Sequence, residues 1–156
     1  MGERDDAPNA VIPPPIAWAL AIVAGLGGGW LYPLRFVPPA IPRIVVGGSL
    51  FIIAFLLALW AIVTIRKAGT QIRIDKPTTM IVTDGPFGFT RNPIYLGMLL
   101  GQAGLAVAFD NVWLLVAWAP LYLVLRYGVI SREEAYLDRK FAAAYRAYKL
   151  RVRRWL

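Results

Sequence analysis

The sequence predicts an all-α membrane protein of about four transmembrane helices, the last two paired as a hairpin and followed by a C-terminal amphipathic helix on the cytoplasmic side. Three observations lead there. The 156 residues are 58% hydrophobic with a mean hydropathy of +0.57, too apolar for an ordinary soluble fold. Four segments reach or approach the ~20 apolar residues that a helix needs to cross a bilayer. Charged residues gather at the borders of these segments.

The acidic, proline-rich MGERDDAPNAVIPPP is unlike a basic secretory signal, so residues 1–15 are expected to form a disordered lead. The first span is expected over residues 16–34 and the second over residues 44–65. The third runs over residues 93–109 and the fourth over residues 112–130, and Asp110 with Asn111 leaves so tight a turn that these two form an antiparallel hairpin. Gly25 with Gly29, and Gly97 with Gly101, have the small-xxx-small spacing that lets helix backbones approach, and Gln102 is expected to bond a neighbouring helix. Between spans two and three, residues 66–92 form a polar loop, and residues 131–156 place an apolar stripe opposite a basic face. No solenoid period or second domain is visible, so residues 1–156 read as a single domain.

Basic residues set the topology. Arg66, Lys67, Arg73, Lys76 and Arg91 lie between spans two and three, and nine more follow from Arg126 to Arg154, against only Arg35 and Arg43 in the first loop. Both rich regions fall on one side, which the positive-inside rule makes cytoplasmic together with both termini. The compact chain points to a bacterial inner membrane. Its net charge of +8 is explained by orientation and anionic headgroups rather than by nucleic acid. With neither cysteine nor histidine, disulfides, thiolate metal sites and a cysteine nucleophile are excluded, and no side chain has an unperturbed pKa near neutrality.

Two polar clusters carry the chemistry. GPFGFTRNPIYLG, residues 85–97, leads into the third span, and SREEAYL, residues 131–137, follows the fourth. The hairpin brings them to one membrane surface, where polar groups are costly unless solvated, paired or used. Asn92 and Pro93 suit a helix start, asparagine as cap and proline at the first position. Ser131 with Glu134 fits a capping box, which leaves Glu133 as the carboxylate without a structural reason. Arg91 is suited to a carboxylate, and Arg126, inside the fourth span, either snorkels or orients an anionic substrate.

In their order these motifs resemble the isoprenylcysteine carboxyl methyltransferase and phospholipid methyltransferase superfamily, membrane enzymes that use S-adenosylmethionine. The resemblance rests on Gly85, Pro86 and Phe87; on Arg91, Asn92, Pro93, Tyr95 and Gly97; on Glu133, Glu134 and Leu137; and on Tyr145, Tyr148 and the terminal VRRWL. It covers about half the chain, and Asn92 stands where many members carry histidine. The resemblance implies a cofactor site of Thr79, Ile81, Val82, Gly85, Pro86, Phe87, Asn92, Pro93, Ile94, Tyr95, Glu133 and Glu134. The stretch from Thr79 to Val82 is expected to be strand-like, Phe87 to stack on adenine, and helix-start amides to hold the cofactor carboxylate. Arg91, Glu133 and Arg126 are the catalytic candidates, and Arg126, Arg132 and Tyr127 the substrate candidates, with no metal. The substrate is a lipophilic or lipid-like molecule entering from the bilayer, and membrane lipids are the other partner.

Methyl transfer from a sulfonium needs placement and a dry pocket more than acid–base groups. A carboxylate acceptor is already ionised at neutral pH, whereas an ammonium must first lose a proton, so the sequence favours O-methylation of a carboxylate over N-methylation of a lipid amine. An NADPH-binding relative of the sterol reductases and a non-catalytic scaffold are the competing classes.

Overall fold

The computed structural model describes residues 11–69 and 80–156, and among these it is all-helical. Helix α1, Pro14–Leu31, opens on two prolines, whose missing N–H groups cost nothing in a first turn. It therefore starts before the expected Ile16, and Val11 donates its amide to Gly128 O at 3.2 Å, so the last residues of the expected disordered lead are structured. Residues 1–10 lie outside the described part. Helix α2, Arg43–Lys67, is followed by α3, Pro93–Phe109, and α4, Val112–Leu123.

Among the described residues three candidate spans satisfy length and hydropathy, and the shorter α3 is a fourth apolar helix. The apolar side chains of α1 and α2 point outward in bulk: Leu20, Val23, Ile52, Ile53, Phe55 and Leu56 are all exposed. Contiguous apolar surface of that extent suits lipid.

Helices associate here through small residues, because lipid removes the hydrophobic drive between them. Helix α3 packs most extensively on α2, and α1 on α4. A methyl group on Gly97 would sit 2.8 Å from Ala54 O, and one on Gly47 would sit 2.3 Å from the Ala108 amide nitrogen. Gly97 thus serves packing, while the Gly47 crossing with α3 was not singled out in the sequence. Gln102 is fully buried and donates to Leu114 O at 3.2 Å, linking α3 to α4 as expected.

The hairpin turn is tied to the first loop. Asp110 ends α3 in the left-handed conformation, φ 49° and ψ 53°, and its carboxylate accepts the amides of Phe36 and Val37, both at 2.8 Å. Asn111 caps α4 by accepting from the Trp113 amide at 2.9 Å and donates to Gly25 O at 3.1 Å.

Beyond α4 the structure departs from expectation. No helix break occurs at Ser131: a π-helical segment, Val124–Ile130, carries the chain from α4 straight into α5, Ser131–Arg151. Each π turn holds an extra residue, and so rotates the downstream helix by about 100° relative to an unbroken α-helix. Helix α5 is itself broken at Ala142, φ 37° and ψ −107°. It folds back there, so that Lys149 reaches Asp138 at 2.5 Å, although an unbroken helix would hold residues that far apart in sequence roughly 16 Å apart. The last turns and the tail thereby return to the start of α3.

Candidate active site

The site lies where the start of α3 meets the start of α5. Gly85 takes a positive φ of 57° and opens a 3₁₀ turn, Gly85–Gly88, in which Pro86 is buried. Met80, Ile81 and Val82 are irregular rather than strand-like, and Thr79 lies outside the described residues. Pro93 begins α3 as expected, but Asn92 does not cap it: its side-chain amide donates instead to Arg154 O at 2.9 Å. The first-turn amides of α3, which have no intrahelical acceptor, are left without an Asn92 cap.

Arg91 and Tyr95 point at the acidic pair. The Tyr95 hydroxyl donates to Glu133 Oε1 at 2.6 Å, and Arg91 Nη2 donates to Glu134 Oε1 at 2.9 Å. Glu134 is also gripped by Arg154, whose Nε donates to Oε1 at 2.9 Å and whose Nη2 donates to Oε2. This corrects the expected capping box. With a helix running continuously through Ser131 there is no helix start to cap, and Ser131 Oγ instead donates to Arg126 O at 2.8 Å and accepts from Arg126 Nη1 at 3.1 Å.

The adjacent carboxylates are pushed apart electrostatically. Burial lifts Glu133 to about 7 against the lowering effect of the Tyr95 hydrogen bond, with the Glu134 charge adding to the rise. Burial would raise Glu134 as well, but the Arg154 hydrogen bond and the charges of Arg91, Arg154 and Arg126 outweigh it and hold Glu134 below the usual carboxylate range. Burial also raises Tyr145, and Tyr148 to about 12, so both stay protonated at neutral pH. Tyr148 donates to Phe87 O at 2.7 Å, fixing the 3₁₀ turn through its backbone. Ile81 packs against the buried set of Tyr145, Tyr148 and Val152.

One donor here has no acceptor. Arg91 has a side chain only 10% exposed, and its buried Nε is unpartnered among the described residues. A buried donor left unmade is expensive, so a ligand acceptor that reached it would be favoured.

Not every expected residue converges. Arg126 bends toward the Ser131 end and lies over the Tyr127 ring at 5.2 Å, but Tyr127 itself is 63% exposed on the outside of the bundle. Arg132 is exposed, and Val82 and Ile94 are half-buried near the cluster. The sequence assigned no role to Thr90 or to the individual residue Arg154. The signal was there in the terminal VRRWL, which could not be placed without the fold-back at Ala142.

Comparison with known proteins bears on the family. An uncharacterized protein of Haemophilus influenzae is 41% identical over 63 residues, which is 40% of this chain and 100% of that protein. No solved structure matches the chain. The family model for phospholipid methyltransferases matches residues 42–144, from the start of α2 to beyond the acidic pair, and on that match the chain belongs to the phospholipid methyltransferase family.

Proposed function

We propose that this protein is a membrane methyltransferase that uses S-adenosylmethionine and methylates a lipophilic acceptor. The observation that carries the reading is the unpartnered Arg91 Nε beside the uncapped first turn of α3. A carboxylate fits there, because a helix start and a guanidinium both favour an anion, so Arg91 with the backbone amides of Ile94 and Tyr95 would hold the cofactor's carboxylate end. Gly85, Pro86, Phe87, Ile81 and Val82 would line the adenosine side. When bound, the cofactor supplies a methyl group on a positively charged sulfur.

The acceptor we favour is a lipid amine. The preference for a carboxylate acceptor rested on its needing no base, and Glu133, lifted to about 7, offers the base that an ammonium needs. An ammonium proton passes to the Glu133 carboxylate, which frees the nitrogen lone pair, while Tyr95 fixes the carboxylate's direction. Desolvation at the membrane surface strengthens both effects. O-methylation of a carboxylate is the second reading, favoured by Arg126 close to the acidic pair, where it would orient an anionic acceptor.

Calorimetric titration of the detergent-purified protein tests the assignment. Saturable heat with S-adenosylmethionine and S-adenosylhomocysteine, and none with NADPH, is expected. No heat with either sulfur compound would overturn it. Methyl transfer to phosphatidylethanolamine vesicles against vesicles containing a long-chain fatty acid then decides between amine and carboxylate.

A further inference from the structure

The C-terminal tail is tied into the site by five polar bonds that serve no helix. Arg153 O accepts the Arg91 amide at 3.0 Å. Arg154 O accepts both the Thr90 hydroxyl at 3.2 Å and the Asn92 side-chain amide at 2.9 Å. The Arg154 guanidinium closes the knot on Glu134 through two donors, and that hydrogen bond holds its own proton more firmly than usual. Trp155 anchors the end, its ring 5.8 Å from that of Tyr122, which stacks on Trp118 at 5.5 Å.

Each bond has a consequence for Arg91. Arg154 engages both oxygens of Glu134, Arg91 shares one of them through Nη2, and Arg91 Nε is unused. Asn92, drawn to the Arg154 carbonyl, is withdrawn from the cap it would otherwise supply, and the α3 amides stay available. Without the tail, Glu134 would be free to accept Arg91 through two parallel donors, the geometry that guanidinium and carboxylate prefer, and Asn92 would be free to cap. Both anion-binding elements would then be satisfied internally.

We propose that Arg154 is a positioning residue, holding Glu134 and Asn92 so that Arg91 and the start of α3 present an open corner to the carboxylate of the cofactor. This rests on the methyltransferase reading and adds to it the element that keeps the corner open. The tail acts through Glu134 and Asn92, and touches neither the transferred group nor the acceptor.

The test compares two ligands on two variants. S-adenosylmethionine carries the carboxylate, and 5′-methylthioadenosine keeps the nucleoside and sulfur without it. Arg154→Gln should weaken S-adenosylmethionine roughly ten- to a hundredfold, the range of one charge-assisted hydrogen bond, and leave 5′-methylthioadenosine within about twofold. Arg154→Lys keeps the charge but not the fork, and should show a smaller loss of the same selectivity. It also serves if the glutamine variant fails to fold. Equal loss for both ligands would make Arg154 a support of the fold alone, and no loss for either would remove it from the site; both outcomes overturn the proposal. Wild-type protein that binds neither ligand would instead overturn the methyltransferase reading, and the positioning role with it.

Discussion

Each end of the helix bundle sets a carboxylate beside an arginine, and the two ends use the pair differently. At the hairpin turn, Asp110 accepts two backbone amides at 2.8 Å and Arg43 at 3.3 Å. Those amides, Val37 first and then Phe36, hold its pKa below the ordinary value. At the opposite end, Glu134 is shared by two arginines while Glu133 beside it is lifted to about 7, and Arg91 keeps a buried donor unused. A closed set of bonds fastens the first loop and the start of α2 to the hairpin. An unclosed set is where a ligand has something to complete.

The strongest way to break the contrast is at Glu133. If it is the base for a lipid amine, Glu133→Gln should lower turnover by roughly 10²- to 10⁴-fold, the range general-base groups contribute. The fold should survive, because the amide keeps an acceptor for Tyr95 and removes a carboxylate that is costly to ionise in place. Methylation assays beside a thermal melt check this, and near wild-type turnover would favour the carboxylate acceptor, which needs no base.

Glu134→Gln should act on stability instead. It removes the shared charge from two arginines while leaving an acceptor, and breaking a buried ion pair on one side costs about 3 to 5 kcal/mol, here toward the lower end because Arg154 is 29% exposed and the amide still accepts. Denaturation in detergent should show the loss, with weakened S-adenosylmethionine binding alongside. A variant as stable as wild type would mean the arginines are solvated well enough to need no partner.

Asp110→Asn sharpens the other side of the comparison. Asparagine tolerates the left-handed conformation but carries no charge, so the melting midpoint should fall while cofactor affinity stays unchanged. The pH dependence has a fixed sign. A depressed carboxylate pKa contributes stability above the unfolded value and loses it as pH falls through the folded one. Melts of wild type and variant should therefore converge in acid, below the ordinary aspartate value of 3.8. A cofactor affinity that moved with Asp110 would mean the two ends are coupled.

How much of this was legible in the sequence depends on the range of the forces involved. The apolar segments, the Asp110–Asn111 turn and the proline at the start of α3 are local, and they were read with boundaries off by a few residues. The meeting of Arg91 and Tyr95 with the acidic pair was legible because the short turn leaves one way to fold the hairpin. The capping box of Ser131 and Glu134 was misread. A capping box needs a free helix start, and whether the chain breaks at Ser131 or passes through a π segment is decided by packing across the bundle. The tail was illegible because its path depends on one strained residue, Ala142, that no propensity marks.

The smallest expected effect is the most discriminating for mechanism. The Tyr95 hydroxyl lowers the Glu133 pKa by hydrogen-bonding the ionised form, so Tyr95→Phe should raise that pKa further above 7. A hydrogen bond to a charged group is worth about 1.5 kcal/mol at its weak end, and one pKa unit is about 1.4 kcal/mol, so the shift should be roughly one unit. A base must be unprotonated to act, so turnover rises with pH through the Glu133 pKa. With that pKa moved by a unit, the ionised fraction at pH 7 falls from about one half to about one tenth, a loss of roughly fivefold, and it recovers as the pH approaches about 9. A pH–rate profile of the two proteins on the same amine vesicles measures this. A loss at neutral pH that alkali does not restore would show that the Tyr95 hydroxyl does more than tune its neighbour, and a profile that does not move would take Glu133 out of the rate-limiting proton transfer.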